Sequence, residues 1–303
     1  MELSRPDKLN ALNLTMFREI AGAARQIRRD PAARAVLLSG KGRAFCTGLD
    51  VPSILTPSAA DGMLPTAKTK TLLRRPSGYG YGRPDAGAAA GDARAGAPAE
   101  AADDVEGAGV PEAVRELYRR GALGNLAQDV ALLWRHVPVP VVAVLHGMCY
   151  GGGLQIALGA DIRFATKECK LSVMEAKWGL IPDMGATVTL RELVRMDVAK
   201  ELTFTGRVVD GTEAERVGLV TRACEDPWER ATGVVEEVAH RSPDALAAAK
   251  ALYQRSWFAS EEECLKLETE VQEKLLASWN QLAASAKNFG VDVPYKEPQG
   301  FDT

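Results

Sequence analysis

Two spacings of apolar residues alternate along the chain. From Asn13, Met16, Ile20, Ala23 or Ala24, and Ile27 recur every three or four residues, which predicts an amphipathic helix whose end carries Arg25, Arg28 and Arg29. Residues 1–11, centred on Arg5-Pro6-Asp7-Lys8, read as a turn. Ala35 to Leu38 is a short strand, and Ser39-Gly40-Lys41-Gly42 turns the chain. Arg43 to Asp50 reads as a second short strand ending in a glycine bend. Glu112 to His136 carries Leu117, Leu123, Leu126, Val130 and Leu133 as a helical stripe over two helices, ended by Pro138 and Pro140. The unbroken run Val139 to Leu145 is a buried strand. After Gly151-Gly152-Gly153 a helix runs through Leu154, Ile156, Ala157 and Leu158. Helices follow over Ala186 to Met196, Val198 to Phe204 and Thr212 to Val217, and Gly218-Leu219-Val220 leads into a strand.

Trp228 to Phe289 is helical in pattern throughout: Glu229 to His240, Asp244 to Tyr253, and a long piece from about Glu261. Leu265, Leu267, Val271, Leu275, Leu276 and Leu282 make that last piece more apolar than a solvated helix needs. Packing on the core is expected, with another subunit as the alternative. Between the two patterned regions, roughly Thr56 to Gly109, no period exists. Its Ala, Gly, Arg, Pro and Asp cannot bury enough surface to offset ordering entropy, so a disordered insertion at about 56–109 is expected. The chain divides into a core over 1–205 and a mainly helical region over 206–303.

Composition narrows the function classes. Of 303 residues, 46% are apolar and 25% charged, as in a folded globular protein, and the net charge of −3 gives no pull toward nucleic acid or an anionic membrane. Five scattered cysteines without a CxxC pair, and only three histidines, point to a reducing compartment with neither a disulfide framework nor a zinc site. No apolar run reaches the length of a membrane span, and the first residues have no signal-peptide core. The compartment is left open.

The candidate chemistry lies between His146 and Thr187. A strand, a glycine turn and a helix start aim unpaired backbone N–H groups at one point, and glycine lets a ligand approach them. Glu175 and the turn Ile181-Pro182-Asp183-Met184-Gly185 follow. An anion-stabilising turn beside carboxylates suggests carbanion or enolate chemistry. Neither a GxGxxG nor a P-loop pattern is present in the stretch, so phosphate binding is not the reading.

Four segments then carry a resemblance. Arg5-Pro6-Asp7-Lys8-Leu9-Asn10-Ala11-Leu12, Ala44-Phe45-Cys46-Thr47-Gly48-Leu49-Asp50, Gly147 to Gly153, and Trp178-Gly179-Leu180-Ile181-Pro182 occur in the order of the crotonase (enoyl-CoA hydratase/isomerase) superfamily, which the chain resembles from Arg5 to about Phe289. The resemblance implies an α/β fold, a crotonase-like spiral of ββα repeats, with C-terminal helices that join subunits into a homotrimer or a dimer of trimers. It implies an acyl-CoA thioester as substrate, with coenzyme A part of the substrate and no separate cofactor or metal. The N–H groups of Leu49 and Gly152 match the family's oxyanion hole, each such donor contributing about 2.7–4 kcal/mol to the transition state. Ala44, Cys46, Gly48, Asp50 and Gly151 are expected to border the substrate.

The carboxylates then choose the reaction. A family hydratase uses two glutamates, and the first position here is Gln155, whose amide can hold water but cannot exchange a proton. General acid–base catalysis contributes about 10²- to 10⁴-fold, so hydration should suffer. Glu175 fills the second position and suffices as a base that moves a double bond. Asp183 stands where similar dienoyl-CoA isomerases keep a further acid. It reads either as that acid or as a cap of a helix starting near Met184. Isomerisation of an enoyl-CoA is the favoured reaction. The alternatives are an enoyl-CoA hydratase, a dienoyl-CoA isomerase, or a binding paralogue without turnover. Cys46 and Cys149 read as buried, inert thiols and His146 as a packing residue. Only four residues precede Arg5, where the family has a strand or two, so an exposed sheet edge is expected.

Overall fold

Asn13 opens the first helix by accepting a hydrogen bond from the Met16 N–H at 3.0 Å. The computed structural model describes residues 1–55 and 111–301, and the expected insertion at about 56–109 lies outside them. The strands are β1 (Glu2–Leu3), β2 (Val36–Gly40), β3 (Val141–Leu145), β4 (Met148–Tyr150), β5 (Ile162–Thr166), β6 (Lys170–Ser172) and β7 (Arg222–Cys224). One sheet is wholly parallel in the order β1-β2-β3-β5-β7, and β4 and β6 pair in parallel in a second. β3 is buried at every position, which is why it reads as an unbroken VVAVL. Val36 lies opposite Val141, and Val142 opposite Ile162.

Twelve helices cover these sheets among the described residues: α1 (Leu14–Arg28), α2 (Val51–Leu55), α3 (Glu112–Tyr118), α4 (Leu126–Leu132), α5 (Gly152–Leu158), α6 (Ala186–Leu193), α7 (Met196–Thr205), α8 (Gly211–Val217), α9 (Pro227–Ala239), α10 (Pro243–Ser256), α11 (Glu261–Leu275) and α12 (Trp279–Asn288). α1 buries Met16, Phe17, Ile20, Ala21 and Ala24 in one large core with Trp134, Leu145 and Ile156. A smaller cluster, Val142, Val144, Phe164 and Ala231, joins α9 to the sheet. Lys250 of α10 reaches the same region, donating to Trp134 O at 2.9 Å and to Asp161 at 2.7 Å.

The structure corrects the sequence reading in four places. Residues 1–11 are more than a turn, since Glu2 and Leu3 form the edge strand against Ser39 and Gly40. Arg43 to Asp50 is not a strand. It makes only single bridges, Cys46 to Cys149 and Leu49 to Leu12. β5 escaped the reading because Arg163 interrupts its apolar pattern. That guanidinium is buried, and it donates to Leu219 O at 3.0 Å and Ala160 O at 2.6 Å. The long piece from Glu261 breaks at Ala277, whose φ of 59° lies in the left-handed region. Core packing does not account for its apolar residues: Val271 is the one buried residue of α11, and Leu265, Leu276 and Leu282 are exposed.

Candidate active site

The glycine run packs and presents at once. Gly151, with φ of 50°, turns the chain between β4 and α5, and its N–H donates to Ser172 O at 2.9 Å. A Cβ on Gly153 would stand 2.6 Å from the Cys46 carbonyl, and one on Gly152 would stand 2.7 Å from Met184 Sδ. The start of α5 is therefore pressed against the loop that carries Cys46 to Leu49. A Cβ on Gly48 would lie 3.5 Å from the Gly152 nitrogen. Neither the Leu49 N–H nor the Gly152 N–H has an acceptor among the described residues. Gly48, Leu49, Gly151 and Gly152 line one cavity of about 280 Å³.

Glu175 faces the same cavity. It begins a short 3₁₀ turn, Glu175–Trp178, and is only 8% exposed. Its Oε1 accepts from Gln155 Nε2 at 2.6 Å, whereas its Oε2 is buried without a partner among the described residues. Burial pushes the carboxyl above its usual 4.5. The charge of Asp183 adds to the rise, while backbone hydrogen bonds and the Gln155 amide oppose it. Gln155, itself buried, accepts at Oε1 from Met184 N at 2.8 Å and Ala186 N at 3.3 Å. Its amide thus ties Glu175 to the turn that carries Asp183, and both ends are occupied.

Asp183 also lines the cavity, and its Oδ2 accepts from the Tyr118 hydroxyl. It does not cap a helix, because α6 begins after Gly185 with no side-chain cap. The turn Pro182 to Gly185 delays the helix by two residues, and the side chain is taken by Tyr118 instead. Burial first, and Asp183 second, raise the phenol's pKa above its usual 10.

Of the residues expected to border the substrate, Gly48 and Gly151 line the cavity, and Ala44, Cys46 and Asp50 do not. Those three hold the loop. The Ala44 carbonyl accepts from Asn10 Nδ2 at 2.8 Å, Cys46 Sγ donates to Asn10 O at 3.0 Å, and Asp50 pairs with Arg5 at 3.1 Å. Burial pushes the Cys46 thiol up to about 12, so it stays an inert thiol at neutral pH. His146 Nε2 lies 2.9 Å from Gly42 O. No cluster of three acidic, His or Cys side chains disposed to hold a metal occurs among the described residues. Two roles were not legible from the motifs. Arg5 and Asn10 brace the loop from Ala44 to Asp50, and Tyr118 sits on a helix that belongs to none of the four segments.

Two family profiles described as enoyl-CoA hydratase/isomerase match residues 107–289 and residues 1–74. A peroxisomal Delta(3,5)-Delta(2,4)-dienoyl-CoA isomerase of Arabidopsis thaliana is 27% identical over 281 residues, which cover 92% of this chain and 82% of that protein. A mitochondrial methylglutaconyl-CoA hydratase of Homo sapiens is 38% identical over 121 residues, covering 38% of this chain and 36% of that one. The crystal structure of an enoyl-CoA hydratase from Bacillus anthracis superimposes with a TM-score of 0.72 over 98% of this chain and 94% of its own, at 23% identity. That likeness is one of fold.

Proposed function

The chain belongs to the enoyl-CoA hydratase/isomerase family, and from that premise we propose that it shifts a double bond in an unsaturated acyl-CoA by proton transfer through Glu175. The observation that carries the reading is the buried, unpartnered Oε2 of Glu175, in one cavity with two backbone N–H groups that lack acceptors. In a 3-enoyl thioester, Oε2 takes a proton from C2. The C–H electron pair moves toward the thioester oxygen, which Leu49 N–H and Gly152 N–H stabilise as its charge develops. The enolate then takes the proton back at C4, leaving the double bond between C2 and C3. Coenzyme A is carried by the substrate, and the step needs no separate cofactor.

Hydration is disfavoured because it calls for a second proton-exchanging group, and Gln155 is an amide with both ends in use. A second reading, a 3,5-dienoyl-CoA isomerase, is supported by Asp183 in the same cavity and by the relative of that name. The test is turnover of a 3-enoyl-CoA, a 2-enoyl-CoA and a 3,5-dienoyl-CoA side by side. Conversion of the first alone supports the one-base reaction, conversion of the third supports the second reading, and efficient hydration of the 2-enoyl thioester overturns both.

A further inference from the structure

We propose that Arg5 is a positioning residue for the Leu49 N–H, clamping the Leu12–Leu49 contact through Asp50 and the Ala11 carbonyl so that this N–H points at the thioester oxygen. The proposal rests on the oxyanion reading above. One peptide bond sets the aim. The Leu12 N–H donates to Gly48 O at 2.8 Å and the Asp50 N–H donates to Leu12 O at 2.9 Å, which makes Leu12 and Leu49 partners in a parallel bridge. Gly48 O and the Leu49 N–H belong to one planar peptide, and no peptide bond among the described residues is cis. The carbonyl and N–H of a trans peptide point in opposite directions. Leu12 therefore takes Gly48 O on one side and turns the Leu49 N–H to the other, where Gly48 and Leu49 line the cavity.

Arg5 holds both sides of that bridge. Its Nη1 donates to the carbonyl of Ala11, next in the chain to Leu12, at 2.6 Å, and its Nη2 donates to Oδ2 of Asp50, next to Leu49, at 3.1 Å. A planar guanidinium spans two acceptors in one fixed geometry, which an ammonium does not. The approach to Leu12 is bent, with Leu9 and Asn10 at φ of 50° and 56° in the left-handed region that is costly for residues other than glycine. Such a bend persists where its surroundings fix it. Arg5 supplies part of that hold, since its N–H donates to Asn10 Oδ1 at 2.7 Å and its carbonyl accepts from the Asn10 N–H at 2.9 Å. The hydrogen bond to Gly48 O adds strength to aim, because a carbonyl that accepts a hydrogen bond polarises the N–H of its own amide. Arg5 exchanges no proton and touches no substrate. It acts through Leu12 and Asp50.

The test watches the thioester carbonyl itself. Bound 2-hexenoyl-CoA, a product of the proposed reaction, is labelled with carbon-13 at C1, and its C=O stretch is followed by infrared difference spectroscopy. In the wild type, two N–H donors are expected to lower the band from its position in the free thioester. Arg5→Leu is expected to lose about half of that shift, since one donor of the two loses its aim. Its kcat on 3-hexenoyl-CoA should fall about 10-fold, a part of the roughly 10²- to 10³-fold that a whole donor supplies, with KM within about threefold. Arg5→Lys should fall between the two. Asp50→Asn added to Arg5→Leu should cost less than about twofold more, because the pair acts as one clamp. The double variant leaves no carboxylate unpaired, and it carries the same test where Arg5→Leu alone does not fold. An ion pair that only stabilised the chain would lower Tm and leave the band in place. A folded variant with the wild-type band therefore overturns the proposal and leaves the reaction standing. A wild-type band that does not move, or a product that does not bind, overturns the oxyanion reading and the clamp with it. Undiminished turnover by Glu175→Gln overturns the proposed base alone, and the band still decides Arg5.

Discussion

Glu175 is held in a state that opposes folding at neutral pH, and this has two measurable consequences. Its carboxyl titrates above 4.5 in the folded chain because burial disfavours the charge. Below 4.5 the group is protonated whether folded or not, so it contributes nothing to pH dependence. As pH rises past 4.5 the unfolded chain loses its proton first. Stability therefore falls through the window up to the folded pKa and stays lower above it. Glu175→Gln is expected to raise Tm at pH 7 and to lose that advantage near pH 4, while activity falls about 10²- to 10⁴-fold. A melting curve at the two pH values checks it. If Glu175 is the base proposed above, the same raised pKa should set the acid limb of kcat/KM above 4.5, since only the ionised form can take a proton. Gln155→Glu should move that limb higher still. It replaces the amide that donates to Oε1 at 2.6 Å by a second acid, and like charges at that separation resist joint ionisation. A pH–rate profile of this variant that coincides with the wild type would contradict the role given to the amide.

At the scale of elements, glycines of similar appearance in sequence have opposite duties. Gly153 lies in α5 with the Cys46 carbonyl 2.6 Å from where its Cβ would be, and that neighbour is backbone, which yields little. Gly153→Ala should destabilise by about 1–3 kcal/mol. Gly22, in the middle of α1, has nothing within 4 Å. Gly22→Ala should stabilise by about 0.5–1 kcal/mol. Urea midpoints with unchanged slopes check both. This contrast also marks how far the sequence could be read. α1, β3 and α5 were legible because their apolar spacing is strict, and motif order singled out Gly48, Leu49, Gly152 and Glu175, which the fold brings to one cavity. β5 was not, because a buried arginine satisfied by backbone carbonyls looks polar in a one-dimensional pattern. The break between α11 and α12 was hidden because an alanine, not a glycine, takes the left-handed conformation there. Tyr118 was missed because its contact with Asp183 spans 65 residues and no periodicity records it.

At the scale of the whole molecule, the core is satisfied within one chain but the C-terminal helices are not. Trp257 and Phe258 beside α10, Leu265 on α11, Leu276, Leu282 on α12, and Phe289 are all more than half exposed, Phe289 at 87%. We propose that these exposed apolar side chains belong to an association surface, and the family resemblance expects a trimer built through these helices. Light scattering should give three or six times the chain's 32.5 kDa, and a monomer at micromolar concentration would reject the expectation. The two N–H donors, Glu175, Gln155, Asp183 and Tyr118 all come from one chain. On the proposed reading, association is expected to stabilise the chain rather than to complete the site. Leu265→Glu places a charge on the exposed face of α11, and it should shift the mass toward monomer and lower Tm. It should also remove the rise of Tm with protein concentration that an assembling chain shows. Its kcat per chain, measured well below the lowered Tm, should stay within about threefold of the wild type. A dissociated chain that is folded yet inactive would mean that the partner orders the cavity, and would move part of the site from the single chain to the assembly.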